Sequence, residues 1–188
     1  MLLYMIRHGE SEANAGKLHA GWAQISLTEN GARQARLAGE RLKGIPFDRI
    51  VCSDLQRAVQ TCRQALPSRA YETNALLREI SVGALSGKSA ADCQRLYGES
   101  YAENKRRQDF TPYGGENRRM LLDRVGRFMY EAAQYSEKTI AVFAHEGTLR
   151  AMLDLVTDQA QKKERILCEN CCIAVFKYEN GLWQLLKW

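Results

Sequence analysis

The sequence predicts an α/β fold, a three-layer α/β/α sandwich around a mainly parallel central sheet. Three observations point there. Leu2 to Ile6, Ile50 to Cys52 and Thr139 to Ala144 are short, continuous apolar runs, the pattern of strands buried on both faces. Stretches with helical spacing separate them. Each run ends abruptly in polar residues: Arg7-His8-Gly9, Ser53-Asp54 and His145-Glu146-Gly147. A strand buried on both faces does not tolerate such groups, so they belong where the strands emerge. In an open α/β sheet that carboxyl edge is where ligands bind.

The chain of 188 residues suits a single domain spanning 1–188, with 45 % hydrophobic and 26 % charged residues. No internal repeat or linker divides it. No apolar segment is long enough to span a membrane, and the run before Arg7 is too short for a signal-peptide core. Six cysteines without an export signal read as reduced thiols in a cytoplasmic protein. Cys168-Glu169-Asn170-Cys171-Cys172 has no second pair at zinc spacing and reads as core. The net charge of +5 suits anionic ligands. Lys105-Arg106-Arg107, Arg118-Arg119 and Lys162-Lys163 are short and scattered, so they read as solvated faces rather than a nucleic-acid stripe. Nothing in the sequence fixes an oligomeric state.

Glu10 to Gln24 reads as a polar loop containing Asn14, His19, Gly21 and Trp22. Thr28 caps a helix with Ala35, Ala38 and Leu42 on its inner face, stopped by Gly44 and Pro46. Ser53 and Gln56 match a capping box for a helix with Leu55, Ala58, Val59, Cys62 and Leu66 inward. Arg57 lies off that stripe, one turn in, facing the edge that holds His8. Leu76 to Gly87 reads as an irregular loop, where Arg78-Glu79 is either a surface ion pair or a carboxyl beside a pocket. Lys88 to Tyr97 reads as helix and Gly98 to Thr111 as a connection. A turn at Pro112 to Glu116 feeds a helix with Leu121, Val125, Phe128, Met129 and Ala132 inward. After Ala144 follows a helix with Leu149, Met152, Leu153 and Val156. Cys172 to Tyr178 and Leu182 to Lys187 flank Asn180-Gly181, a hairpin signal.

A lone histidine at a strand end is most often a packed residue. Here the topology collects two arginines, two histidines and a candidate carboxylate along one edge, and that inventory suits phosphoryl transfer. Guanidinium forks match phosphate oxygens. A neutral imidazole is a competent nucleophile, so His8 is the candidate to attack phosphorus while Arg7 holds the phosphate. A protonated second imidazole, His145, is expected to stabilise the spreading charge. Glu79, beside apolar residues, is the candidate to give the leaving group its proton, provided burial and an anionic substrate raise its pKa. The cations come from the protein, so neither a metal nor another cofactor is expected. Nucleotide-cradling glycine motifs are absent.

Arg7-His8-Gly9-Glu10-Ser11 with Asn14, Leu27-Thr28-Glu29-Asn30-Gly31, Ser53 to Ala58 with Thr61, Leu77-Arg78-Glu79-Ile80, Gly114-Gly115-Glu116 and Ala144-His145-Glu146-Gly147 occur in that order. Together they resemble the motifs of the histidine phosphatase superfamily, the phosphoglycerate mutase-like family, over nearly the whole chain. The resemblance implies the phosphoglycerate mutase-like fold, with His8 as the phosphorylated nucleophile. It places Arg7, Arg57 and His145 around the phosphate, Asn14 against it from the loop, and Glu79 as acid and base. It sets Gly21-Trp22 and Glu146-Gly147 at the border of a small phosphoester. Val82-Gly83, Ser86-Gly87 and Glu146 depart from the family pattern beside the leaving group. The short chain lacks the mutases' basic insertion and looks most like the adenosylcobalamin/α-ribazole phosphatase branch. A mutase and a non-catalytic phosphoester- or phosphoprotein-binding module remain the alternatives.

Overall fold

A computed structural model describes residues 1–157 and 167–188; Lys162-Lys163 lies outside the described residues. Six strands form one sheet: β1 (Leu2–Arg7), β2 (Arg49–Cys52), β3 (Glu72–Thr73), β4 (Thr139–Ala144), β5 (Ile173–Glu179) and β6 (Leu182–Lys187). Their order is β3-β2-β4-β1-β5-β6. β1, β2, β3 and β4 pair in parallel, while β5 runs antiparallel to β1 and β6 antiparallel to β5. The sheet is therefore mixed, with its parallel part in the middle and on the β3 side.

The helices are α1 (Glu12–Ala15), α2 (Glu29–Leu42), α3 (Gln56–Ala65), α4 (Ala90–Arg107), α5 (Arg118–Ala132) and α6 (Glu146–Thr157). Alternate residues of the central strands feed two cores. Leu3, Met5, Ile140 and Val142 pack with Leu121, Val125 and Phe128 of α5 and Leu149 and Met152 of α6. Ile6, Ile50, Ala141 and Phe143 pack with Leu42 of α2 and Ala58, Cys62 and Ala65 of α3. Pleating sends neighbouring residues to opposite faces, so a run apolar throughout is what two covered faces require. A third, smaller cluster of Val82, Leu85, Cys93, Tyr101 and Phe110 lies against α4. Among the described residues no helix is long and apolar enough to cross a membrane.

Several local expectations hold. Thr28 caps α2, its hydroxyl accepting from Gly31 N–H at 3.0 Å. Asn180 and Gly181 take φ of 52° and 81° between β5 and β6. Two successive positive φ values belong to the tight hairpin turn that Asn-Gly favours.

Others need correction. Ser53 and Gln56 form no capping box; α3 starts two residues later, with Leu55 as its cap and no side-chain bond there. Arg57 faces the edge that holds His8, as expected, and is fully buried there. The 10–24 loop contains the short helix α1, closed by a reciprocal capping box between Ser11 and Asn14. Residues 99–107 are helical. Gly98, at φ 58° and ψ −142°, is non-helical and ends the first stretch of α4 after Tyr97 as expected, but a second helical stretch follows the kink where a connection was expected. The two-residue strand β3 left no sequence signal, being exposed and too short to show periodicity.

Candidate active site

The parallel register of β1 and β4 pairs Arg7 with Ala144, so both strands end together and His8 and His145 follow side by side. Their ring centroids are 5.1 Å apart. His8 N–H donates to Ala144 C=O at 3.0 Å, and Ser53 N–H donates to Phe143 C=O at 2.8 Å, so three strand exits are locked to one another. Arg7, His8, Asn14, Gly21, Arg57, Glu79 and Glu146 all line one cleft of about 1220 Å³. His145 lies buried alongside His8, and Gly147 lies against Glu79. The structure thus brings together the predicted set.

The hydrogen bonds of His8 define its tautomer. Nδ1 lies 2.7 Å from Gly9 C=O, which only accepts, so Nδ1 carries the proton. Arg57 Nε–H, which only donates, points at Nε2 from 3.3 Å. Nε2 therefore keeps its lone pair inside the site. Burial, then the charge of Arg57, pushes the His8 pKa down to about 3. The imidazole is neutral at physiological pH, as a nucleophile needs.

Arg57 is held by its fork: Nη1–H donates to Ala23 C=O at 3.1 Å and Nη2–H to Gly21 C=O at 2.9 Å. Burial and then Arg7 lower its pKa to about 10, while Glu79 opposes the fall, so it remains a cation at neutral pH. Thr61 ties the pieces together, donating to Arg57 C=O at 2.7 Å and accepting from Gly9 N–H at 3.0 Å. Arg7 bonds the Cys168 carbonyl through Nη1, while its buried Nε has no partner among the described atoms.

The expectation of a protonated His145 is overturned. Burial first, then Arg57 and His8, holds its pKa well below the ordinary histidine value, so the imidazole is neutral. Its Nε2 lies 2.8 Å from Ser53 Oγ and its buried Nδ1 is unpartnered. Cations already crowd this wall, and another charge there is costly. As a neutral ring, His145 serves as a hydrogen-bond donor rather than as a charge.

Glu79 settles the ambiguity left by Arg78-Glu79. Arg78 turns away to grip Asp54 with two bonds, Nε at 2.7 Å, which holds the Asp54 carboxyl below its usual pKa. Glu79 turns inward: Oε1 accepts from Ile80 N–H at 2.8 Å and Oε2 from Gly147 N–H at 3.2 Å. The second donor is one of the free N–H groups at the start of α6. A Cβ on Gly147 would fall 2.0 Å from Glu79 Oε1, so only glycine admits the carboxylate there. Trp22 Nε1–H reaches the backbone C=O of Glu79 at 2.6 Å, and the Arg78 guanidinium lies 4.8 Å over its ring.

Sequence reasoning missed Arg124. From α5 it donates to the carbonyls of Leu76, Arg78 and Glu79 and to both oxygens of Glu116. Glu116 in turn accepts from Ser81 N–H at 2.8 Å. The irregular loop that carries Glu79 is thereby held on both sides. The signal available was an arginine beside the inward stripe, next to Val125, with Glu116 at the preceding turn. Ser53, read as a cap, instead positions His145. Asn14 Oδ1 accepts from Ser11 N–H at 3.0 Å, and Asn170 Nδ2–H donates to His8 C=O at 3.0 Å.

A neutral imidazole nitrogen ringed by two guanidiniums and a second imidazole, with a carboxyl across the cleft, is a site for taking up and passing on a phosphoryl group. The histidine phosphatase superfamily (branch 1) matches residues 3–188, and the chain belongs to that superfamily. An adenosylcobalamin/α-ribazole phosphatase of Salmonella typhimurium is 34 % identical over 99 % of this chain and 90 % of its own. A 2,3-bisphosphoglycerate-dependent phosphoglycerate mutase of Brucella canis is 35 % identical over 86 % of each. The crystal structure of the α-ribazole phosphatase from Shigella flexneri superposes with a TM-score of 0.89 at 26 % identity, covering 100 % of this chain and 95 % of that one.

Proposed function

We propose that this histidine phosphatase hydrolyses a small phosphorylated metabolite through a phosphohistidine on His8, with residues 1–188 acting as one domain. The supporting observation is the lone pair of His8 Nε2 held neutral between Arg57 and His145. Arg7, Arg57 and Asn14 hold the phosphoryl oxygens, and His145 adds an N–H from Nδ1 while Ser53 takes up Nε2. Nε2 attacks phosphorus and the ester P–O bond breaks. Glu79 gives its proton to the departing alkoxide. Glu79 then takes a proton from water, whose oxygen attacks phosphorus; the P–N bond breaks, and His8 and inorganic phosphate are released. Gly21, Trp22, Glu146 and Gly147 border the leaving alcohol. All the charge stabilisation in this scheme comes from side chains and the backbone.

The similarity to the Salmonella and Shigella proteins favours α-ribazole 5′-phosphate as substrate, in a cytoplasmic setting where the cysteines stay reduced. The test is hydrolysis of p-nitrophenyl phosphate in EDTA, with rapid quench in alkaline detergent and phosphorus detection. An acid-labile phosphoenzyme and turnover are expected, both lost in His8→Ala; turnover that survives His8→Ala overturns the scheme. Glu79→Gln is expected to slow turnover by about 10²–10⁴. The Brucella relative keeps a mutase as the second reading. Interconversion of 2- and 3-phosphoglycerate primed by the bisphosphate would establish it, and release of inorganic phosphate alone would exclude it. Phosphate binding with no phosphoenzyme would instead mean a binding module.

A further inference from the structure

Glu146 sits in the cleft between two arginines. Its Oε2 is 3.2 Å from Arg7 Nη1, and its Oε1 accepts from Arg150 Nε–H at 2.8 Å. The arginine side chains are 12 % and 18 % exposed and the carboxylate 36 %, so the carboxylate is the member a ligand meets first. As the first residue of α6 its negative charge faces the positive end of the helix dipole.

Three further arginines along the cleft wall are also ion-paired: Arg118 with Asp154, Arg106 and Arg107 with Glu103. The Arg106 and Arg107 side chains are mostly exposed, so solvent screens those pairs. Glu146, Arg7 and Arg150 are the better shielded group, and they stand beside the phosphoryl site.

We infer that Glu146 is a specificity-determining residue that selects phosphomonoesters whose leaving alcohol carries no negative charge. The inference rests on the phosphatase reading above. Glu146 occupies Arg150, the guanidinium beside the phosphoryl site that a second anionic group would otherwise use, and it repels such a group directly. It also offers an acceptor to hydroxyls of a polyol or sugar. Repulsion between unit charges a few ångströms apart in a partly screened site is large enough to set selectivity.

The test uses two substrates that differ at one carbon, 3-phosphoglycerate and glycerol 3-phosphate. The wild type is expected to favour glycerol 3-phosphate in kcat/KM. Glu146→Gln is expected to shift the ratio toward 3-phosphoglycerate by about tenfold or more. Arg150→Met, which leaves the carboxylate less neutralised, is expected to shift it the other way. Ratios within twofold of wild type in both variants, or shifts of the opposite sign, overturn the inference. Inorganic phosphate released from p-nitrophenyl phosphate by the same preparations shows that they are folded and active. Its absence in the wild type would count against the phosphatase reading instead.

Discussion

Arg57 Nε lies 3.3 Å from His8 Nε2, so the buried guanidinium rests on the nitrogen that has to attack. An entering phosphate must take over that donor, which both frees the nucleophile and neutralises the cation. Arg57→Lys retains charge but cannot donate at once to His8, Ala23 and Gly21. Its kcat/KM for an aryl phosphate is expected to fall about 10²-fold or more, an Arg-to-Lys change at a forked site being far from conservative. Steady-state kinetics with retained thermal stability checks this.

The depressed histidines make stability depend on pH. The unfolded chain protonates His8 near its ordinary 6.5, whereas the folded chain does so at about 3. Between those values the unfolded state holds the extra proton, so stability falls as pH falls through that window. His145 is shifted in the same direction and adds to the slope. His8→Asn is expected to shed up to about 1.4 kcal/mol per pH unit of that dependence. Urea unfolding midpoints from pH 7 to pH 4.5 for both proteins measure it; parallel slopes would refute the assignment. For the same reason, an acid limb of kcat/KM near pH 6.5 is not expected from His8.

Arg124 and Glu116 carry the Glu79 loop. Their side chains are 12 % and 10 % exposed, and Arg124→Gln would leave a buried carboxylate and three carbonyls poorly met. Breaking one side of such a pair costs about 3–5 kcal/mol. The variant is expected to lose that much in denaturant titration. Any remaining folded enzyme should show a lower kcat, because Glu79 loses its fixed position.

Gly147→Ala separates position from stability. Alanine favours a helix by about 1 kcal/mol over glycine, but here its Cβ would meet Glu79 Oε1 at 2.0 Å. Displacing the carboxyl is expected to cost about 10–10² in kcat. Circular dichroism should still report a folded protein.

The elements legible from sequence were those whose own side chains are buried. β1, β4 and the inner faces of α2, α5 and α6 wrote their burial as apolar runs or 3.6-residue spacing. Asn180-Gly181 declared its turn through positive φ. The site was legible in part because Arg7, His8 and His145 interrupt strands. What stayed hidden depends on distant partners. The buried Arg57 looks like any helix arginine until Gly21, Ala23 and His8 surround it. Ser53 fits a cap as well as it fits His145, and tertiary contact decided between them. The charge of His145 was misjudged because sequence shows the residue but not the crowd of guanidiniums around it. Gly98 does interrupt α4, yet a second helical stretch follows it and packs Tyr101 into the small cluster beside the cleft.

His8 is also held from far along the chain. Its carbonyl accepts from Asn170 Nδ2–H and from Cys171 N–H, Arg7 reaches the Cys168 carbonyl, and β1 pairs along its length with β5. Strand β1 thus depends on residues about 160 positions further along the chain before its backbone is secured. A nucleophile fastened by contacts of such long sequence separation is expected to take its place with the whole sheet rather than ahead of it.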